Sequence, residues 1–319
     1  MAAGGVSRAG SNDNEKTGTE SAVSRKPTIG ITTYNYSPQD MMNLAVHADR
    51  LGFEGLWFGE HYVIPENYGS HHPTKEGNAS EAKIIAPTVR IYDPWFLLGA
   101  VAGATKRLKI GTAICIVPMN NPLILARHTV TAHDISGGRF LLGTGAGWLK
   151  EEFDAIGVPF HERGARLDET IAILKKAWAG GFFAHEGKHF AFESLQISPH
   201  PVNVPLVCGG NTGPALRRVA EVADAWINSA MVSLDEAQEL RDVIERERQT
   251  RGTAQRPFEY YVRPHTAEAD DVGGFLKAGF DNIVLWGPNV WPNTDEQTLD
   301  QKIAGLERVA RDLGVTPQP

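Results

Sequence analysis

From Thr28 onward the chain repeats one pattern: a short run rich in β-branched and aromatic residues, then a longer segment whose apolar residues recur with helical spacing. The short runs are TIGITTY (28–34), GLWFGE (55–60), LKIGTAI (108–114), RFLLGTG (139–145), VPLVCGG (204–210), AWINS (225–229), FEYYVR (258–263) and NIVLWG (282–287). Between them lie segments such as PQDMMNLAVHADRLG, ARLDETIAILKKAWAG and DEAQELRDVIERERQTRG, with apolar residues near i, i+3, i+4 and i+7. Strands separated by helices pair in parallel, because each crossover returns the chain to the same end of the sheet. Eight such units in about 290 residues fit a (β/α)₈ TIM barrel, which typically uses ~250 residues plus insertions, better than an open sheet.

Two insertions interrupt the repeat. Residues 61–93 form a long polar loop after the second strand, of a length usually found in lids, binding loops or disordered segments. The segment FFAHEGKHFAFE (182–193) alternates aromatic and other residues about a Glu-Gly pair and predicts a β-hairpin before the fifth strand. Residues 1–26, rich in Gly, Ser, Asn and Thr, read as a disordered tail, and 27–319 as a single barrel domain.

Hydrophobic content of 42% supports a substantial core, and the formal net charge of -7 without a dense Lys/Arg run argues against nucleic acid as a partner. No apolar run approaches the roughly 18 residues of a membrane span. Two cysteines, Cys115 and Cys208, make no disulfide framework and no C-x-x-C pair, so a reducing, cytoplasmic setting is expected. These features describe an acidic enzyme acting on a small molecule.

The stretch GTGAGW (143–148) invites a dinucleotide reading, but the fingerprint G-x-G-x-x-G requires a third glycine where Trp148 stands. In a barrel the same residues form the end of the fourth strand, where glycines let backbone approach a ligand. His185, Glu186 and His189 match H-E-x-x-H, yet that zinc pattern needs a helix to put both histidines on one face. Gly187 and the flanking period-2 aromatics predict a turn, and no metal is expected.

Chemistry in such barrels collects where strands end. The candidate ring is Thr33, Tyr34, Glu60, His61, Ala113, Ile114, Trp148, Gly209, Gly210, Asn211, Thr212, Asn228 and Ser229. The turn Gly209–Thr212 precedes a helix, whose free N–H groups and positive end suit an anion such as a phosphate; a turn that merely caps the helix is the alternative. A bulky residue at Gly210 is then expected to weaken ligand binding with little effect on folding. His61 is placed to donate a proton near neutral pH, or only to shape the pocket by hydrogen bonding. His128 and His133 read as helix histidines, and Trp57 and Trp226 as core. Trp148, beside a glycine-rich strand end, can wall a planar ligand.

LGFEGLWFGEH, KRLKIGTAICIVPMNNPLILARHTVTAHDISGGRFLLGTGAGWLKEEF, ERGARLDETIAILKKAW and PLVCGGNTGPALRRVAEVADAWINS together resemble the luciferase-like superfamily of flavin monooxygenases and coenzyme F420-dependent oxidoreductases. The long EHYVIP loop followed by YDPWFLLGAVAGAT is most similar to the F420-dependent branch. The resemblance implies a deazaflavin (F420) or flavin (FMN) ring at the carboxyl-terminal mouth, held by Ala113, Ile114, Gly145, Trp148, Gly209, Gly210, Asn211, Thr212 and Ser229. It implies a non-prolyl cis peptide at Ala113–Ile114 that backs the ring, and catalysis by the pair Glu60 and His61. Lys150, Arg163 and Arg166 would meet the glutamyl tail of F420, or are simply solvated surface charges. Trp148 stands where deazaflavin-dependent sugar-phosphate dehydrogenases carry a glutamate, which argues against sugar-phosphate oxidation.

The activity implied is hydride transfer between F420 and a small organic substrate. The alternatives are a two-component monooxygenase supplied with reduced FMN, and a non-catalytic flavin-binding protein. A homodimer and a separate flavin or F420 reductase complete the implied partners.

Overall fold

The computed structural model describes residues 27–33, 37–70, 90–291 and 297–317. Tyr34, the 1–26 tail and residues 71–89 of the loop after the second strand lie outside the described residues. Eight parallel strands close into a barrel: β1 (Thr28–Thr33), β2 (Gly55–Phe58), β3 (Lys109–Thr112), β5 (Phe140–Gly145), β8 (Leu206–Gly209), β9 (Ala225–Ile227), β10 (Glu259–Val262) and β11 (Asn282–Trp286). Pairing of β3 with β5 through Ile110–Phe140 and of β1 with β11 through Thr28–Asn282 leaves no free edge in the ring. The third strand is shorter than its sequence suggests. It stops at Thr112, the Ala113–Ile114 peptide is cis as the family resemblance implies, and the chain resumes as β4 (Cys115–Ile116) along β5.

The helices that follow these strands pack outside. They are α1 (Pro38–Leu51), α2 (Pro94–Ala104), α3 (Pro122–Ser136), α4 (Lys150–Ala155), α5 (Arg163–Trp178), α6 (Gly213–Val222), α7 (Leu234–Thr250), α8 (Ala269–Lys277), α9 (Gly287–Val290) and α10 (Leu299–Asp312). Local sequence sets their ends. Ser37 caps α1 by accepting the Asp40 N–H at 3.1 Å, Asn121 caps α3, and Thr298 with Gln301 forms a capping box on α10. Lys302 of α10 reaches Asp40 of α1 at 2.7 Å, tying the last helix to the first.

Two apolar layers result. Strand-to-helix packing forms the larger one, around Ile31, Leu56, Phe140, Leu206 and Trp226. The barrel interior holds Trp57, Leu141, Val207, Ala225, Ile227, Tyr261 and Val284. Trp57 fills space that neighbouring strands would otherwise need, since a Cβ at Gly111 would lie 2.6 Å from its Cε3 and one at Gly30 3.2 Å from its Nε1. Large and small residues thus alternate across the strands to fill the barrel. Truncating such a tryptophan typically costs ~3–5 kcal/mol.

The segment around HEGKH is an antiparallel hairpin, β6 (Phe182–Glu186) with β7 (Ala191–Gln196). Both histidines turn to α5 and its start: His185 Nε2 lies 3.1 Å from Glu169 and His189 Nδ1 lies 3.4 Å from Glu162. Glu169 also accepts the His189 and Phe190 N–H groups, so this motif latches the hairpin to a helix.

Candidate active site

A cavity of about 570 Å³ opens at the carboxyl ends of the strands, within the usual range for small-molecule sites. The structure brings Glu60, His61, Ala113, Ile114, Gly145, Trp148, Gly209, Gly210, Asn211, Thr212, Asn228 and Ser229 to its wall. Thr33 is not among the lining residues; its hydroxyl is buried against Gly287. His128 and His133 lie on α3, away from the cavity, and His128 packs against Trp95.

The strand-end glycines have a packing reason of their own. A Cβ at Gly145 would overlap Ile114 Cδ1, one at Gly209 would approach Ile114 Cγ2 to 3.0 Å, and one at Gly143 would overlap the Thr112 carbonyl. These positions are glycine because the chain packs on itself there, with the Ile114 side chain spread over the ends of β5 and β8. Gly145 and Gly209 still line the cavity, but the absence of their side chains first of all makes room for Ile114. Gly210 differs again: its φ is +124° and a Cβ would sit 2.6 Å from that of Ala215, so replacement strains the turn itself. The expectation that Gly210 can be enlarged without affecting folding is therefore wrong.

Beyond Gly210, α6 begins at the cavity. Thr212 is its N-cap but makes no side-chain capping bond, and Pro214 has no N–H. The Gly213 and Ala215 amides, being in the first turn, have no acceptor within the helix and point with the positive end of its dipole. Asn211 does not spend its amide on the cavity. It accepts the Ser229 N–H at 2.9 Å and donates to the Ser229 carbonyl at 3.1 Å, stitching the β8–α6 loop to the β9–α7 loop. Asn228 accepts the Arg263 N–H at 2.8 Å and ties the next loop in the same way.

The two residues after β2 point to different neighbours. Glu60 is 6% exposed and accepts the Ile116 N–H at 2.6 Å, so its carboxyl supports the interrupted third strand. Burial pushes its pKa up, against the lowering effect of the Ile116 and Cys115 bonds. His61 instead bonds through Nδ1 to Oε2 of Glu152 at 2.9 Å. Glu152 is fully buried and also accepts the N–H groups of Tyr62 and, at 3.3 Å, Val63. Its neighbour Glu151 accepts from Gly69 N at 2.7 Å and from Ser70 Oγ at 2.7 Å. The Ser70 hydroxyl, with the backbone N–H groups, holds the Glu151 carboxyl down to about 2.

Trp148 stands edge-on to His61, with ring centroids 6.3 Å apart, and to Tyr68 at 6.2 Å. Of the three basic residues expected near the mouth, Lys150 and Arg163 line the cavity while Arg166 does not. Arg166 faces Glu162 at 3.8 Å and lies over the Phe190 ring of the hairpin. Arg218 and Arg263, which sequence reasoning missed, line the cavity instead, with Arg218 paired to Asp168. Glu152 was missed too. The acidic pair in LKEEF reads from sequence as charge stabilising the start of a helix, and nothing local reveals a partner 91 residues earlier.

A closed parallel barrel with an imidazole, the Ile114 floor and the first turn of α6 gathered at its carboxyl-terminal mouth has the architecture of a small-molecule barrel enzyme. The chain belongs to the luciferase-like monooxygenase family, which it matches over residues 19–272. It is 30% identical over 279 residues to an uncharacterised protein of Mycobacterium tuberculosis, covering 85% of this chain and 93% of that one. It is 28% identical over 184 residues to the F420-dependent glucose-6-phosphate dehydrogenase of Amycolatopsis mediterranei, covering 55% of this chain and 49% of that enzyme. Among solved structures, an F420-dependent secondary alcohol dehydrogenase in complex with an F420–acetone adduct superposes with a TM-score of 0.70 at 17% identity, over 91% of this chain and 99% of that one. Family and fold thus place the chain among luciferase-like oxidoreductases. No described helix is long and apolar enough to cross a membrane.

Proposed function

We propose that this protein transfers a hydride between coenzyme F420 and a small organic substrate, with His61 handling the proton. The observation that carries the reading is the convergence of three things on one cavity: the Ile114 floor, the open start of α6, and an imidazole with Nδ1 already engaged. The residues suit the cofactor. Ala113, Ile114, Gly145 and Trp148 would face the ring, and Gly209, Gly210, Asn211, Thr212 and Ser229, with the Gly213 and Ala215 amides, would surround the phosphate. Lys150, Arg163, Arg218 and Arg263 at the wall suit an anionic glutamyl tail.

A bound deazaflavin supplies or accepts the hydride and reacts poorly with oxygen. In the reducing direction, imidazolium His61 gives its Nε2 proton to substrate oxygen as the adjoining carbon gains the hydride. In reverse, neutral Nε2 takes the hydroxyl proton as the carbon loses it. Glu60, turned onto β4, supports the floor rather than the proton path.

Titration with F420 and FMN side by side tests the cofactor. F420 is expected to bind about tenfold or more tightly, a difference of roughly 1.4 kcal/mol. Tighter binding of FMN would overturn the assignment in favour of the oxygen-using chemistry for which the family is named, fed by a separate flavin reductase. An F420 reductase is the corresponding partner on the favoured reading.

Two copies are also proposed to associate. Adjacent helices α2 and α3 expose Phe96, at 82%, with Ile124 and Ile135. Large apolar side chains exposed on neighbouring helices suit a protein partner. Sedimentation at micromolar concentration is expected to give a dimer, and a stable monomer would remove the claim.

A further inference from the structure

We propose that Glu152 is a positioning residue that fixes His61 in one tautomer and one orientation, an inference that rests on the reading of His61 as the proton carrier. Glu152 lies on the six-residue helix α4, two residues after Lys150 of the cavity wall, and is fully buried. One of its oxygens takes the peptide N–H groups of Tyr62 and Val63, and the other meets His61 Nδ1 at 2.9 Å. An ionised carboxyl only accepts hydrogen bonds, so a neutral His61 carries its proton on Nδ1. Nε2 is the nitrogen left for a ligand in the cavity, and it is the basic one. The same carboxyl holds the backbone just after His61 through Tyr62 and Val63, so the base of the side chain is fixed and any swing of the ring breaks its Nδ1 bond to Glu152.

The arrangement assigns a role that a purely structural carboxyl would not have. In a Glu152→Gln protein the two peptide N–H groups claim the amide oxygen. The NH₂ group then faces Nδ1, which must accept, and the proton moves to Nε2. The imidazole keeps its place but presents the wrong nitrogen for accepting a proton. In the serine-protease triad, an acid-to-amide change behind the catalytic histidine lowers turnover by about 10⁴ through this mechanism.

The test uses the full-length protein labelled with ¹⁵N-histidine, with the His61 signals assigned by their loss in His61→Ala. Neutral His61 is expected to be protonated on Nδ1 in the wild type and on Nε2 in Glu152→Gln. Turnover in the oxidising direction should fall by about 10²–10⁴. Glu152→Asp, which keeps the charge, should retain the wild-type tautomer and recover part of the rate. A wild-type His61 protonated on Nε2, or a tautomer unchanged by Glu152→Gln, would overturn the proposal. The wild-type spectrum decides even where the glutamine variant fails to fold. If the tautomer switches but His61→Ala transfers hydride at the wild-type rate, the positioning stands and the proposed proton role of His61 fails.

Discussion

His61→Ala is expected to lower turnover by about 10²–10⁴, the usual contribution of a general acid or base, while cofactor affinity changes much less. The expectation rests on place and partner: His61 follows β2, lines the cavity, and has one ring nitrogen held by Glu152. His61→Asn separates two ways in which the side chain can act. An amide can hydrogen-bond to a substrate oxygen and orient it, but it cannot deliver a proton. Recovery of much of the rate by asparagine would reduce His61 to an orienting group; continued loss identifies proton transfer. Single-turnover kinetics with F420 measures the step directly, and wild-type rates in both variants would leave His61 as a wall of the pocket.

Gly213→Asp is expected to weaken cofactor binding by roughly ten- to a hundredfold with little change in melting temperature. A carboxylate about 5 Å from a bound phosphate costs about 3 kcal/mol at an effective dielectric of ~20, less where salt screens the exposed mouth. Folding should tolerate the change. A Cβ at Gly213 meets nothing closer than Arg217 Nη1 at 3.4 Å, and an acid in the first helical turn complements the dipole. Gly210 offers no such clean test, because its replacement disturbs the turn before any ligand is considered. Calorimetric titration alongside thermal melting checks both halves, and unaltered affinity would move the phosphate away from α6.

The barrel was legible because its signals are local. Period-2 runs separated by helical periods mark strands and helices wherever they fall, and Trp57 and Trp226 read as core and are buried. The ring of strand-end residues came from the same reasoning, since barrel topology alone carries Glu60, His61, Gly209 and Ser229 to one mouth. The hidden part depends on contacts between distant loops. Glu152 under His61 and Arg218 in place of Arg166 are choices of side-chain direction, which spacing along one helix does not determine. The glycines of GTGAG were found, but not the side chain and carbonyl that pack against them. A position emptied for a neighbouring isoleucine and one emptied for a ligand look the same in sequence.

The adjacent carboxyls of α4 grip the chain after β2 at two points, Glu152 at residues 61–63 and Glu151 at residues 69 and 70. The connection from the strand to Ser70 is thereby anchored to the barrel independently of the residues after Ser70. Insertions, deletions or grafts beyond Ser70 are expected to leave the His61–Glu152 contact in place. On the proposed reading of His61, the group that moves a proton is held by contacts that a change of length farther along the same connection does not touch.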